Sequence, residues 1–222
     1  LNGLEQGVVA ATPDFVKAID IDLAQMPDVV VAYAMNGEAL PLLNGFPIRL
    51  VVPGYFATYW VKMLDDIEVI NKVDENFWMN PAYRIPIGKF PVVARFVSQE
   101  NATSTPITEM VVNSLITSHR DGASVKAGKI TVSGLAWDGG YGIRAVEVST
   151  DDGKTWAQAK VGQDLGRFAF RPWSFDISAK RGKVTVMANA INAIGQTQTA
   201  TLIFNPAGYH NNVMQRVTLN AG

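Results

Sequence analysis

The second half of the chain alternates apolar and polar residues in short segments, the pattern of β-sheets that bury one face. Successive side chains of a strand point to opposite faces, so period-two alternation gathers the apolar residues on one side. Gly or Asp turns separate the segments, which read MVVNSLITS, GKITVSGLAW, IRAVEVSTDDGKTWAQAKV, FAFRPWSFDI, GKVTVMANAINAIG and TATLIF. About six or seven short strands within about 100 residues predict a β-sandwich of immunoglobulin-like size.

The first half mixes periodicities and predicts an α+β class for the whole chain. Apolar residues at helical spacing predict a helix over residues 13–26, with Thr12 as its N-cap. Residues 29–35 and 48–53 read as short buried strands, and NGEALP between them reads as a turn. Residues 71–95 show neither period and predict a long irregular segment, a kind of segment that often carries function.

The sequence changes near residue 105 from mixed periodicity to regular apolar–polar alternation, which predicts two domains. The polar segment SQENATSTPITEM is typical of a domain boundary. We therefore expect a mixed α/β domain over residues 1–105 and an all-β domain over residues 106–222. The chain begins with Leu instead of Met, and we expect that an upstream segment has been removed.

Composition excludes several classes of protein and site. The formal net charge is −1, and the basic residues are scattered, which argues against a nucleic-acid partner. No apolar run approaches the ~20 residues that a membrane-spanning helix needs. Cysteine is absent, so these residues form no disulfide and no thiolate metal site. Neither His119 nor His210 lies at ligand spacing from a carboxylate or a second histidine, and no metal site is predicted.

Residues 44–64, NGFPIRLVVPGYFATYWVKML, are mostly apolar yet contain two cations, Arg49 and Lys62. A cation inside an apolar strand needs a partner, because burying an unpaired charge is costly. The nearest carboxylates in sequence are Glu38 and Asp65. An anionic ligand would supply the partner, and a phosphate suits arginine because the guanidinium binds it through two donors.

Tyr83 lies in the irregular segment, within WMNPAYRIP. Two interpretations stay open for it. Its ring is buried and anchors the loop, or its hydroxyl has a functional role. For Arg84, next to it, a surface ion pair and a contribution to local positive potential are equally good interpretations.

Two long segments resemble the sulfite oxidase family of molybdoenzymes. AYAMNGEALPLLNGFPIRLVVPGYFATYWVKMLDDIEV is similar to that family's molybdopterin-binding core. SLITSHRDGASVKAGKITVSGLAWDGGYGIRAVEVSTDDGKTWAQAKV is similar to its immunoglobulin-like dimerisation domain. The resemblance covers nearly the whole chain and is nearest to the molybdenum subunit of bacterial sulfite dehydrogenases, of which this sequence looks like the C-terminal portion. It implies part of a molybdopterin domain followed by an immunoglobulin-like β-sandwich.

The resemblance also implies roles for individual residues. Arg49 falls on the arginine that binds the cofactor phosphate, and Asn44 falls on a histidine that relatives use in the same pocket. Tyr83 falls on the catalytic tyrosine that borders the substrate pocket. The positions with an implied cofactor-binding role are Asn44, Arg49, Trp60, Val61 and Lys62. Relatives bind molybdenum through a cysteine, which this chain lacks.

The activity implied is oxidation of sulfite to sulfate at a molybdenum–molybdopterin centre. Electrons would pass to a c-type cytochrome, with haem only on a partner protein or subunit. Further implied partners are the N-terminal half of the molybdenum domain and a second subunit in a homodimer or heterodimer, in the periplasm. Two alternatives stay open: a related molybdoenzyme acting on nitrate or a sulfoxide, and a non-catalytic dimerising fragment with an incomplete cofactor site.

Overall fold

The structure, a computed structural model, describes residues 1–7, 9–86, 104–203 and 207–222. These residues form two compact units. The first contains residues 1–109 and 207–209, and the second contains residues 110–203 and 210–222, with the gaps just given. The domain boundary at residues 105 and 106 stays a prediction, because residues 87–103 lie outside the described part of the chain.

The first unit is built from short antiparallel strand pairs. β1 pairs with β6, β2 with β5, β3 with β4 and β7 with β8. Its small core contains Leu50, Val52, Tyr59, Val61 and Leu64. Its strands are β1 (Asn2–Gly3), β2 (Val30–Ala32), β3 (Ala34–Met35), β4 (Glu38–Ala39), β5 (Arg49–Val51), β6 (Leu64–Asp66), β7 (Arg84–Pro86) and β8 (Ser104–Pro106). One α-helix, α1 (Ile21–Ala24), and two 3₁₀ helices, Leu42–Asn44 and Ala57–Tyr59, complete it.

The helix predicted over residues 13–26 is wrong except for α1. Val16 forms an antiparallel bridge with Asn2, and the N–H of Lys17 donates to the carbonyl of Leu1 at 3.1 Å, so this segment is extended. Phe15 and Ile19 misled the prediction, because apolar residues four positions apart lie on one face of a helix and also on one face of a strand. With helix limited to these short pieces in the described residues, the α+β class is not confirmed.

No described helix has the length and apolar character to cross a bilayer.

Other predictions for the first half had mixed outcomes. The turn is confirmed at Asn36 and Gly37, whose φ angles are 55° and 84°, whereas Glu38 and Ala39 of the predicted turn form β4 and pair with β3. The strands within residues 29–35 and 48–53 are also confirmed as β2 and β5. The predicted burial of β2 is wrong in this chain, since Val30 and Val31 are 45% and 44% exposed.

The second unit is a β-sandwich, as the alternation predicts. A five-stranded sheet has the order β10-β17-β16-β12-β13, and a four-stranded sheet has the order β14-β15-β11-β9. Along β11 the side chains of Val132 and Ala136 are fully buried while Lys129 and Thr131 are exposed. The strands are β9 (Asn113–Ile116), β10 (Ser124–Val125), β11 (Gly128–Trp137), β12 (Ile143–Ser149), β13 (Ala157–Gln158), β14 (Lys160–Val161), β15 (Arg171–Ala179), β16 (Gly182–Asn192) and β17 (Arg216–Ala221).

The core of the sandwich draws on both sheets. Val132, Trp173 and Ile177 of the four-stranded sheet lie in one buried cluster with Val146 and Val186 of the five-stranded sheet. Burying one face of each sheet in this way supplies the hydrophobic stabilisation of the unit.

Candidate functional site

Arg49 and Lys62 lie opposite each other on two adjacent extended segments of the first unit. An isolated antiparallel bridge joins the two residues. The N–H of Leu50 donates to the carbonyl of Val61 at 2.8 Å, which fixes this register. Like charges directly across a strand pair destabilise it, so this arrangement favours an anion between or beside them.

Within the described part of the chain, the guanidinium of Arg49 donates hydrogen bonds only to main-chain carbonyls. Nη1 donates to the Asn44 carbonyl and Nη2 donates to the Trp60 carbonyl, both at 3.0 Å. The guanidinium carbon also lies 5.7 Å from the centroid of the Trp60 ring. Nε is buried without a hydrogen-bond partner, and no carboxylate of the described residues forms an ion pair with this side chain. Burial lowers the pKa of Arg49.

Gly45 makes room for this pair. Its φ is 105°, a conformation that side chains rarely adopt. A Cβ at this position would lie 3.0 Å from the Cβ atoms of both Arg49 and Lys62. The loop at Asn44 and Gly45 therefore lies directly against both cations, and only glycine fits there without strain.

The residues after the Ala57–Tyr59 turn alternate in burial. Val61 is 2% exposed and belongs to the core of the unit. Lys62 is exposed, so its expected burial in apolar surroundings is wrong, because the next residue of an extended segment points to the opposite face. The indole Nε1 of Trp60 is buried without a hydrogen-bond partner. The five positions singled out from the sequence, apart from Tyr83, thus form one cluster, which we call the Arg49 cluster: Asn44, Arg49, Trp60, Val61 and Lys62.

Tyr83 lies in a second group, the aromatic cluster of Phe15, Trp78, Tyr83 and Tyr209. Its ring stacks on Tyr209 with a centroid distance of 5.7 Å and meets Phe15 edge-on at 6.3 Å. Its φ is 56°, an uncommon value for a residue with a side chain. Backbone strain of this kind persists only where the surroundings enforce it, and it concentrates at functional sites.

Arg84 has a structural role in this part of the unit. Nε and Nη2 donate to the hydroxyl and carbonyl of Ser104 at 2.9 and 2.7 Å. Nη1 donates to the carbonyl of Met79 at 3.1 Å. The surface ion pair is therefore wrong for the described residues, and Arg84 joins β8 to the irregular segment that precedes Tyr83.

Lys17 was missed by sequence reasoning. It is fully buried, with 0% of its surface exposed. Nζ donates to the carbonyl of Trp78 at 2.7 Å and lies 4.6 Å and 4.9 Å from the ring centroids of Tyr59 and Tyr83. Burial lowers the pKa of Lys17 to about 8, and the nearby charge of Asp74 opposes that shift.

A signal for Lys17 did exist. It is the only charged residue of the apolar run FVKAI. Tyr209 lies more than a hundred residues from Tyr83 in the chain, and no sequence pattern pointed to it. Burial raises the pKa of the Tyr209 hydroxyl.

In comparisons with known proteins, each half of the chain matches a protein-family model. The model of the oxidoreductase molybdopterin binding domain matches residues 1–78, and that of the Mo-co oxidoreductase dimerisation domain matches residues 104–222. The sulfite oxidase of Arabidopsis thaliana is 33% identical over 208 residues, which cover 88% of this chain and 52% of the plant protein. The mitochondrial sulfite oxidase of Homo sapiens is 34% identical over 200 residues, which cover 86% of this chain and 36% of the human protein.

A solved structure is similar over almost the whole chain. The sulfane dehydrogenase SoxCD from Paracoccus pantotrophus matches with a TM-score of 0.80 and 25% identity, covering 99% of this chain and 54% of that chain. The present chain therefore spans about half the length of SoxCD and of the plant relative, and about a third of the human relative.

Proposed function

Because this chain belongs to the sulfite oxidase family of molybdenum oxidoreductases, we propose that it takes part in oxidising sulfite to sulfate and that its Arg49 cluster binds the phosphate of a molybdenum–molybdopterin cofactor. The observation that carries the cofactor assignment is the cross-strand pair of Arg49 and Lys62. Two cations face each other there, and no carboxylate of the described residues pairs with either.

The residues of the cluster fit a phosphate. Arg49 has a buried Nε–H without a partner, and Lys62 brings an exposed ammonium on the neighbouring segment. Phosphate oxygens accept several charge-assisted hydrogen bonds at once. Gly45 lets the main chain approach both cations closely, as glycines do where a ligand meets backbone. In this proposal Asn44, Trp60 and Val61 hold these groups in place and border the pterin.

Tyr83 is the proposed substrate-side group. A tyrosine hydroxyl can donate a hydrogen bond to an oxygen of an anionic substrate without becoming charged itself. The enforced backbone of Tyr83 and its packing against Tyr209 and Phe15 fix the direction of that donor. When bound, the molybdenum cofactor supplies the two-electron redox chemistry, and the chain's residues supply binding and orientation.

The proposal extends to partners and compartment. A c-type cytochrome takes the electrons, and any haem belongs to that partner or to another subunit. The rest of the molybdenum domain completes the cofactor site, including a ligand to the metal, since this chain has no cysteine. The second unit pairs two subunits, in keeping with the dimerisation domain that it matches. The proposed location is the periplasm, as the family resemblance implies.

A second candidate keeps the cofactor and changes the substrate. The observation that favours it is the whole-chain similarity to an enzyme named as a sulfane dehydrogenase. A sulfane sulfur would then replace sulfite at the Tyr83 side of the site.

Metal analysis and kinetics test these proposals together. We expect the purified native protein to contain molybdenum and to reduce cytochrome c in the presence of sulfite. Faster turnover with a compound that carries a sulfane sulfur than with sulfite would support the second candidate. A native protein without molybdenum would contradict both candidate functions and would favour a non-catalytic dimerising fragment.

A further inference from the structure

We propose that Lys17 is a positioning residue for Tyr83: its buried side chain fixes the Tyr83 ring relative to the segment that carries the Arg49 cluster. This inference rests on the proposed role of the Tyr83 hydroxyl. It assigns to Lys17 a contact with protein groups only, and none with substrate.

The contacts of Lys17 connect three separate parts of the first unit. Its Nζ donates to the carbonyl of Trp78, in the irregular segment that leads to Tyr83. The same atom lies over the rings of Tyr59 and Tyr83. Tyr59 directly precedes Trp60, whose carbonyl binds Arg49. One ammonium therefore joins the substrate-side tyrosine to the segment that supports the proposed phosphate site.

The two neighbours of Lys17 in this arrangement are themselves fixed. The hydroxyl of Tyr59 donates to the carbonyl of Ile107, and the indole Nε1 of Trp78 donates to the carbonyl of Asp14 at 2.7 Å. Tyr83 is held by aromatic ring contacts and by a main-chain hydrogen bond from the N–H of Ile107 at 2.8 Å, and its backbone lies in the left-handed region. Removing the cation would leave Tyr59 and Trp78 held by their other bonds, whereas the Tyr83 ring would lose the charge beneath it.

The charge of Lys17 matters to this role, because a neutral amine interacts only weakly with ring faces. The charged and titratable groups around it are Tyr59, Tyr83 and Asp74, and Asp66 and Glu68 line the same cavity of about 490 Å³. No carboxylate of the described residues forms an ion pair with Lys17. With a pKa of about 8, Lys17 is an ammonium at neutral pH and loses its proton as the pH rises through 8.

A double-mutant cycle in the cofactor-loaded enzyme tests the inference. Lys17→Met keeps an unbranched side chain of similar length and removes the charge. We expect kcat/KM to fall about 10–100-fold with molybdenum content unchanged, the scale typical of an outer-shell partner. In a Tyr83→Phe background the same substitution should reduce kcat/KM less than about threefold, because Lys17 acts through the hydroxyl that is already gone. The control is Lys72→Met, an exposed lysine of the same unit, which should change neither value.

The outcomes separate the two proposals. Equal losses from Lys17→Met in both backgrounds, or no loss in either, would overturn the positioning role. Wild-type turnover by Tyr83→Phe alone would instead contradict the proposed function of Tyr83, and the Lys17 inference with it.

A measurement that does not depend on activity gives a second test. In protein labelled with ¹³C at lysine Cε and in the tyrosine rings, we expect one lysine to titrate near pH 8. One tyrosine besides Tyr59 should shift at the same midpoint, and that second shift should be absent from Tyr83→Phe. A lysine that titrates near pH 8 without moving any such tyrosine would overturn the inference, as would a titration of every lysine above pH 10.

Discussion

Arg49 and Lys62 are cross-strand neighbours, joined by an isolated bridge, and Gly45 lies so close that a Cβ there would be 3.0 Å from the Cβ atoms of both. Two like charges in this position lower the stability of the strand pair, and an anion bound beside them would offset that loss. The arrangement is therefore informative about ligand binding, and it gives the first two predictions.

Replacing Arg49 with Met should remove the cofactor and leave the fold intact. Methionine is apolar and flexible, so it suits the half-buried site, whereas the phosphate would lose its arginine donors. We expect molybdenum content to fall at least about tenfold, since the loss of a charge-assisted hydrogen bond costs roughly 1.5–3 kcal/mol. Elemental analysis and circular dichroism of the purified variant measure the two effects. Arg181→Met, at an exposed arginine of the second unit, is the control, and full molybdenum content in the Arg49 variant would refute the assignment.

Replacing Gly45 with Ala should reduce both stability and cofactor content. Gly37→Ala is a matched control, because Gly37 also has positive φ, yet a Cβ there meets no atom within 4 Å. Both variants should lose about 1–2 kcal/mol of unfolding free energy from backbone strain. Only Gly45→Ala should lose more than that and also lose molybdenum, because its Cβ displaces Arg49 and Lys62. Equal effects in the two variants would show that the close approach at Gly45 has no functional role.

Replacing Tyr83 with Phe should lower kcat/KM by roughly ten- to a thousand-fold, the range for one well-placed hydrogen-bond donor or less. The ring contacts with Tyr209, Trp78 and Phe15 do not need the hydroxyl, so stability and cofactor content should stay at wild-type values. Steady-state kinetics at matched molybdenum content measure the effect. Tyr141→Phe, at an exposed tyrosine of the second unit, should leave turnover unchanged. Unchanged turnover in the Tyr83 variant would make Tyr83 a packing residue.

The pKa of Lys17 predicts an unusual dependence of stability on pH. It is about 8 in the folded protein, below the ordinary 10.5, so between these values the unfolded chain binds more protons than the folded one. The free energy of unfolding should therefore rise as the pH increases from about 8 to 10, by on the order of 1–2 kcal/mol. Above pH 10 the trend should reverse, because the pKa of Tyr59 is raised to about 12 by burial and the unfolded tyrosine loses its proton first. Urea denaturation at pH 7.5–9.5 should show a rise in the free energy of unfolding for the wild type and none for Lys17→Met. The same pH dependence in both proteins would contradict the prediction.

Residues 106–222 should self-associate when expressed alone. The second unit has its own buried core, and it matches a dimerisation domain over residues 104–222. We expect a dimer by analytical ultracentrifugation at micromolar concentrations and above. A monomer at high concentration would place the subunit contact elsewhere in the protein.

The sequence by itself determined the β-sandwich and identified Arg49 and Lys62 as two unusual cations. The sandwich could be predicted because period-two alternation is a local property that matches the pleat of a strand. Arg49 and Lys62 could be singled out because they are the only two cations in an otherwise apolar segment, whereas Asn44, Trp60 and Val61 were assigned to the same site through the family resemblance. The burial of Lys62 was wrong for an equally local reason, since it points away from the face that Val61 occupies.

Only the tertiary structure decided the surroundings of Tyr83. Lys17, Tyr59, Tyr83 and Tyr209 are separated by dozens of residues in the chain and meet through packing. The tertiary structure also decided the extended conformation of residues 15–19. Their apolar spacing fits a helix and a strand equally, and the bridge between Val16 and Asn2 and the contact of Phe15 with Trp78 favour the extended form. Spacing along a chain records which residues share a face. It does not record which distant segment that face meets, and that meeting is what buries Lys17 beneath Tyr83.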